Sequence, residues 1–177
     1  MKNTKYQQLV DLIVFAMLGV IMFISKYLTD LLPNIHFLGM LTMTYTIVYR
    51  KKALIPIYVF VMLIGIFNGF AMWWIPYLYI WTILWGITML LPKNMSQKIA
   101  VPIYAVVCAL HGLCYGILYA PAQAIMFGLN FRGMLAWIAT GFYFDIVHAI
   151  GNFALGFLII PLSTALRKFH KTAGQGK

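Results

Sequence analysis

The sequence predicts an all-α integral membrane protein: a bundle of six transmembrane helices with both ends on the cytoplasmic side. Three observations predict it. Of 177 residues, 63% are hydrophobic and only 9% charged, where a soluble domain averages about 25% charged. That leaves too little polar surface to cover a globule in water. The apolar runs are continuous rather than alternating, and a backbone in lipid must satisfy its own hydrogen bonds, so helices are expected rather than a barrel. Lys and Arg number thirteen against three acids, and they sit in short clusters between the runs. This is the distribution that the positive-inside rule produces. It is not the basic stripe of a nucleic-acid binder.

The spans fall at 9–31, 35–50, 53–72, 75–91, 99–127 and 133–166, in a single transmembrane domain that fills the chain. The first is too long for the apolar core of a signal peptide, and no small-residue cleavage site follows it. The second is short. The third opens after Arg50, Lys51 and Lys52, with Pro56 in its first turn, where a missing N–H costs little. The fourth, also short, begins at an outer boundary marked by Trp73, Trp74, Pro76 and Tyr77, as an aromatic interface belt would. The fifth carries Pro102 in its first turn and Pro121 late, where proline bends or ends a helix. The fifth and sixth are long enough to tilt or to extend beyond the hydrocarbon. "IPIY" at 55–58 and "VPIY" at 101–104 echo each other after basic turns; similar helix-opening chemistry or duplication explains the match.

Orientation follows from counting. With the N-terminus inside, Lys2, Lys5, Arg50, Lys51, Lys52, Lys93, Lys98, Arg167, Lys168, Lys171 and Lys177 are cytoplasmic. Only Arg132 is clearly external, and Lys26 lies near the outer end of the first helix. One helix more or fewer would destroy this bias. The expected location is the cell membrane, with multiple passes.

Ionisable groups within a span are costly and mark function by default. The sharpest group is "DIVHAIGN" in the last span, where Asp145, His148 and Asn152 share a face at i, i+3, i+7. Gly141 and Gly156 lie on or near that face. Asp145 lies about 12 residues from the outer end, roughly 18 Å deep. A carboxylate at that depth must clasp a neighbouring helix or face a wet or ligand-filled cavity. The fifth span adds His111 and Tyr115 at similar depth. Tyr77, Trp81 and Trp85 form a stripe at i, i+4, i+8, serving packing or lipid contact, or holding a flat ring. Asn68 is a further polar candidate. Gly65/Gly69 and Gly112/Gly116 are GxxxG pairs that permit close helix approach.

Cys108 and Cys114 lie in one apolar run, without disulfide or metal-type spacing. The sequence holds no HExxH, GxSxG, phosphate-binding loop or carboxylate pair, so neither enzymatic activity nor a cofactor is expected. It also holds no ATP-binding element. A transporter of this kind draws on an ion gradient or borrows an ATPase.

In length, topology and composition the whole chain resembles the substrate-binding S components of energy-coupling factor (ECF) transporters. More specific echoes are "LPNIHFLGM" (32–40), "WWIPYLYIW" (73–81) and "DIVHAIGN" (145–152). The resemblance implies capture of a vitamin or related micronutrient from outside. It also implies association with a membrane coupling subunit and two cytoplasmic ATPases. Ligand contacts would fall on Trp81, Trp85, His111, Tyr115, Asp145, His148 and Asn152, with His36 in the first outer loop. The family's Ala-x-x-x-Ala docking patch on the first helix has its nearest match here in Ala16 and Gly19, at spacing three rather than four. The stripe and the deep acid point to a ring-bearing ligand carrying a basic nitrogen. Other readings are a gradient-driven transporter with Asp145 and His148 as a proton relay, or a membrane enzyme or haem protein using His111 and His148.

Overall fold

The computed structural model describes residues 4–29 and 35–173. Within them every regular element is helical: α1 (Thr4–Thr29), α2 (Leu38–Tyr49), α3 (Leu54–Asn68), α4 (Tyr77–Leu90), α5 (Gln97–Leu113), α6 (Tyr115–Phe127), α7 (Phe131–Gly156) and α8 (Ile159–Ala173). Short 3-10 turns at Arg50–Ala53 and Met72–Trp74 join α2 to α3 and lead into α4. Five segments are long and apolar enough to cross a membrane: Lys5–Thr29, Leu38–Asn68, Met72–Leu90, Gln97–Phe127 and Phe131–Gly156. Lys2, Lys177 and the first three residues of the 32–40 segment lie outside the described residues.

Side-chain contacts fix the direction of each pass. Phe15 meets Tyr49, and the Tyr45 hydroxyl donates to the Leu18 carbonyl, so α2 runs antiparallel to α1. Lys52 pairs with Asp11 and Phe23 meets Phe67, so α3 runs parallel to α1. Arg50 reaches the Met89 carbonyl while Trp74 donates to Val61, so α4 runs back. His111 meets Ile80 and the Tyr79 hydroxyl donates to Leu118, which reverses the chain again along α5 and α6. Asp145 on Gly116 and Asn152 on Cys108 bring α7 back. The passes therefore alternate, and Lys52, Arg167 and His170 gather with Asp11 at one end.

The centre of the bundle is α2, in which Leu38 to Thr46 are all buried. Its 12 residues rise about 18 Å, short of the roughly 30 Å hydrocarbon core. The helix is thus a core element wrapped by the others rather than an independent lipid-facing span. It stops at Arg50, whose φ of 54° and ψ of −119° no helix can continue. Arg50 is the sole non-glycine residue with positive φ among those described. Such backbone costs on the order of 1–3 kcal/mol, and the Trp85 indole holds it by donating to the Arg50 carbonyl at 3.0 Å.

Around this core, α1 turns Val14, Phe15, Leu18 and Met22 inward and leaves Leu12, Ile13, Met17, Val20, Ile21 and Ile24 exposed. On α7, Phe142, Tyr143, Phe144, Ile146, Ile150 and Phe153 are exposed likewise. Burying one such side chain is worth about 1.5–3 kcal/mol in water, so two helices this greasy outside need an apolar surrounding.

The last two expected spans are each interrupted. Where a continuous helix is expected over 99–127, α5 ends and α6 begins at Cys114. Pro121, expected to bend or end the helix, sits inside α6, which runs on to Phe127. The expected helix over 133–166 breaks between Gly156 and Ile159, and α8 folds against α2 with Arg167 donating to the Ile47 carbonyl at 2.8 Å.

Candidate functional site: a histidine and aromatic cluster

Five of the side chains singled out from sequence meet between α2, α4, α5, α6 and α7. His36, just before α2, lies with its ring centroid 4.4 Å from His148 and 5.9 Å from Trp81. Trp81 lies 5.8 Å from His111 and 6.2 Å from Tyr115. Tyr115 closes the ring at 5.1 Å from His148. The backbone reason is close packing. Ile35 lies over Gly151, where an added Cβ would meet its side chain at 3.3 Å, and this lays His36 onto α7. On Gly112, a Cβ would stand 2.8 Å from the Asn152 amide and 3.1 Å from the His148 carbonyl, so α5 accepts α7 only because that residue is glycine.

The hydrogen-bonding state of the cluster is incomplete. Trp81 is 1% exposed, His111 4%, His148 3% and Asn152 1%. A buried polar group without a partner costs on the order of 1–3 kcal/mol. Yet among the described residues Trp81 Nε1, His111 Nδ1, His148 Nε2 and Asn152 Oδ1 have none. Their roles can be assigned. The Ile80 carbonyl only accepts, so the His111 Nε2 lying 3.2 Å from it carries the hydrogen. In the neutral ring, Nδ1 is then an acceptor. The Asn152 amide donates to the Cys108 carbonyl at 3.2 Å, which leaves its oxygen as an acceptor. The Trp81 N–H can only donate. The unpartnered buried atoms are thus one donor and two acceptors, with a third nitrogen on His148 able to play either part.

Asp145 does other work. Its two oxygens accept from the Gly116 N–H at 3.1 and 3.2 Å. Gly116 lies in the first turn of α6, where N–H groups lack intrahelical partners and the helix dipole favours negative charge. Asp145 therefore caps, from α7, the helix that the break at Cys114 creates. No bond joins it to His148, so the acid and the imidazole do not form a direct relay. The described residues hold no group of three or more His, Cys, Asp or Glu side chains placed for a metal. The Tyr115 ring lies 6.5 Å from His111 and 5.1 Å from His148.

Other expected residues lie apart. Trp85 buttresses the Arg50 carbonyl, and Asn68, at the exposed end of α3, accepts from the Tyr27 hydroxyl. Gly19 is buried against Val59 and the Pro56 carbonyl of α3, while Ala16 is exposed. Of the GxxxG pairs, Gly112 and Gly116 form the seam with α7, but Gly65 holds the Phe70 ring and Gly69 is a turn residue at φ 88°. Tyr119 and Trp137 were not foreseen. They stack at 5.8 Å with 19° between planes, and Tyr119 lies 6.2 Å from Tyr115. The signal for Tyr119 was present, because His111, Tyr115 and Tyr119 continue one i, i+4 series. Trp137 offered none, as its helix face is set only by the crossing of α6 and α7.

Compared with known proteins, the chain matches no family model, no curated sequence and no solved structure.

Proposed function

We propose that the chain is a membrane-embedded substrate-binding subunit of the ECF importer type. In this reading it captures a vitamin or related small organic micronutrient in the cluster formed by His36, Trp81, His111, Tyr115 and His148. The observation that carries the reading is the set of buried, unpartnered polar atoms on Trp81, His111, His148 and Asn152. A structural clasp would satisfy its own groups, whereas a binding site keeps them for a guest. The aromatic walls supply faces for a ring.

The engagement of Asp145 with Gly116 revises the chemistry expected of that guest. A neutral ring whose edge both donates and accepts fits one indole N–H, two acceptors and His148 better than a cation does. His36 packs against His148 and Trp81, so in this reading its ring shifts when the guest binds. The remaining elements of the proposal follow from the resemblance. They are insertion in the cell membrane with both ends inside, a coupling subunit and two cytoplasmic ATPases. The burial of Gly19 leaves Ala16 as the accessible half of the proposed docking patch.

Native mass spectrometry of the protein purified in mild detergent tests the proposal. A small organic molecule is expected to travel with the wild type and to be lost from His148→Ala. Titration with a panel of water-soluble vitamins, read by tryptophan fluorescence, gives a second measure because Trp81 is in the wall. A protein that carries no small molecule and whose fluorescence responds to none of the panel would sink the reading.

A further inference from the structure

At the end of the bundle where the basic turns gather, a cavity of about 270 Å³ opens between Arg50, Lys93, Asn94, Tyr104 and Arg167. We propose that this cavity binds a phosphate group, independently of what the histidine cluster holds.

Its charge is one-sided. The chain has only three acids, Asp11, Asp30 and Asp145. Asp11 is taken by Lys52 at 2.7 Å and His170 at 3.5 Å, and Asp145 by Gly116. Asp30 lies outside the described residues. Among those described, then, no carboxylate answers Arg50, Lys93 and Arg167. Three cations lining one small recess repel each other unless an anion joins them.

Two of the cations are held in place. Arg50 donates one N–H to the Met89 carbonyl at 2.8 Å, and Arg167 one to the Ile47 carbonyl at 2.8 Å. Each guanidinium retains further N–H groups, whose fork suits phosphate oxygens. Lys93 adds a compact charge, and Tyr104 and Asn94 add neutral donors. Arg50 is also fixed at the backbone, by its positive φ. Strained backbone persists where the surroundings enforce it, and it concentrates at ligand clamps. Here the Trp85 indole, the α2–α3 turn and the Met89 carbonyl all enforce it.

A phosphate could come from an anionic lipid headgroup or from a soluble phosphate ester. The test therefore has two arms. The full chain is placed in phosphatidylcholine nanodiscs with increasing phosphatidylglycerol, and lipid retained on the protein is read by native mass spectrometry. Inorganic phosphate is then added as competitor. Retained phosphatidylglycerol supports the proposal and assigns the lipid if phosphate leaves it in place. Displacement, or phosphate binding alone, supports the proposal and assigns the soluble anion. Lys93→Gln should weaken binding roughly fivefold, and Lys93→Gln with Arg167→Gln at least tenfold. Arg167 also holds α8, so Lys93→Gln, which removes no hydrogen bond or ion pair among the described residues, is the decisive variant. Lys98→Gln removes the same charge outside the cavity. Equal loss in Lys98→Gln, no loss in Lys93→Gln, or no binding of either anion by the wild type would overturn the proposal.

Discussion

At the scale of single residues, the split between Asp145 and His148 separates packing from binding. Both are buried and lie on one helix, yet Asp145 caps α6 whereas His148 joins the ring cluster with a free nitrogen. Asp145→Ala should lower stability by about 1–2 kcal/mol, the worth of a charged cap, read as a lower melting temperature in detergent. Asp145→Asn keeps an oxygen for Gly116 and should cost less. Neither should change affinity for the captured molecule by as much as tenfold. His148→Ala should do the reverse, weakening binding at least tenfold, about 1.4 kcal/mol, at little cost in stability. If Asp145→Asn abolished binding while the melting point held, the division of labour would be wrong. The cluster was legible in sequence because polar and aromatic groups stand out within apolar spans. Which of them would turn to one another was less legible. Trp85 follows Trp81 by one turn, but its partner is the carbonyl of Arg50, and that carbonyl points there only because Arg50 takes a positive φ.

Helix pairs are governed by the seam that α5 and α6 make with α7. Gly112, Gly116 and Gly156 line it, and a Cβ on Gly156 would stand 2.5 Å from the Ala105 Cα. Backbone cannot yield as a flexible side chain does. Gly156→Val should therefore cost about 1–3 kcal/mol or more and deplete folded protein in size-exclusion chromatography. Gly141 and Gly86 supply the opposite sign. Nothing lies within 4 Å of a Cβ at either, and both are inside helices. Gly141→Ala and Gly86→Ala should each gain up to about 1 kcal/mol from helix propensity, visible as a higher melting temperature. A fall in both would mean that these faces are covered. The helical runs were readable from the sequence because hydropathy and the basic turns punctuate them independently, although only five segments are long and apolar enough to cross a membrane. The interruptions in the fifth and sixth were not. The break at Cys114 has no proline to announce it, and what stabilises it is a carboxylate from another helix, 29 residues beyond the Gly116 N–H that it accepts from.

For the whole molecule, charge and apolar surface jointly argue a single orientation. Contacts make Asp11, Lys52, Arg50, Lys93, Arg167 and His170 neighbours at one end, bringing together α1, the turn between α2 and α3, the segment after α4, and α8. Arg132, at the start of α7, lies at the far end with the Asn130 cap. Had the helices failed to alternate, these cations would have been scattered; the fold instead collects them at one end, the distribution on which the proposed orientation rests. Replacing Cys108 and Cys114 with serine gives a background for labelling, onto which Lys51→Cys, Lys98→Cys or Arg132→Cys is added. In sealed right-side-out vesicles a membrane-impermeant maleimide should modify the cysteine at 132 and spare those at 51 and 98. In inverted vesicles the pattern should exchange. Labelling of 51 and 132 from the same side would break the alternation, and with it the proposed orientation.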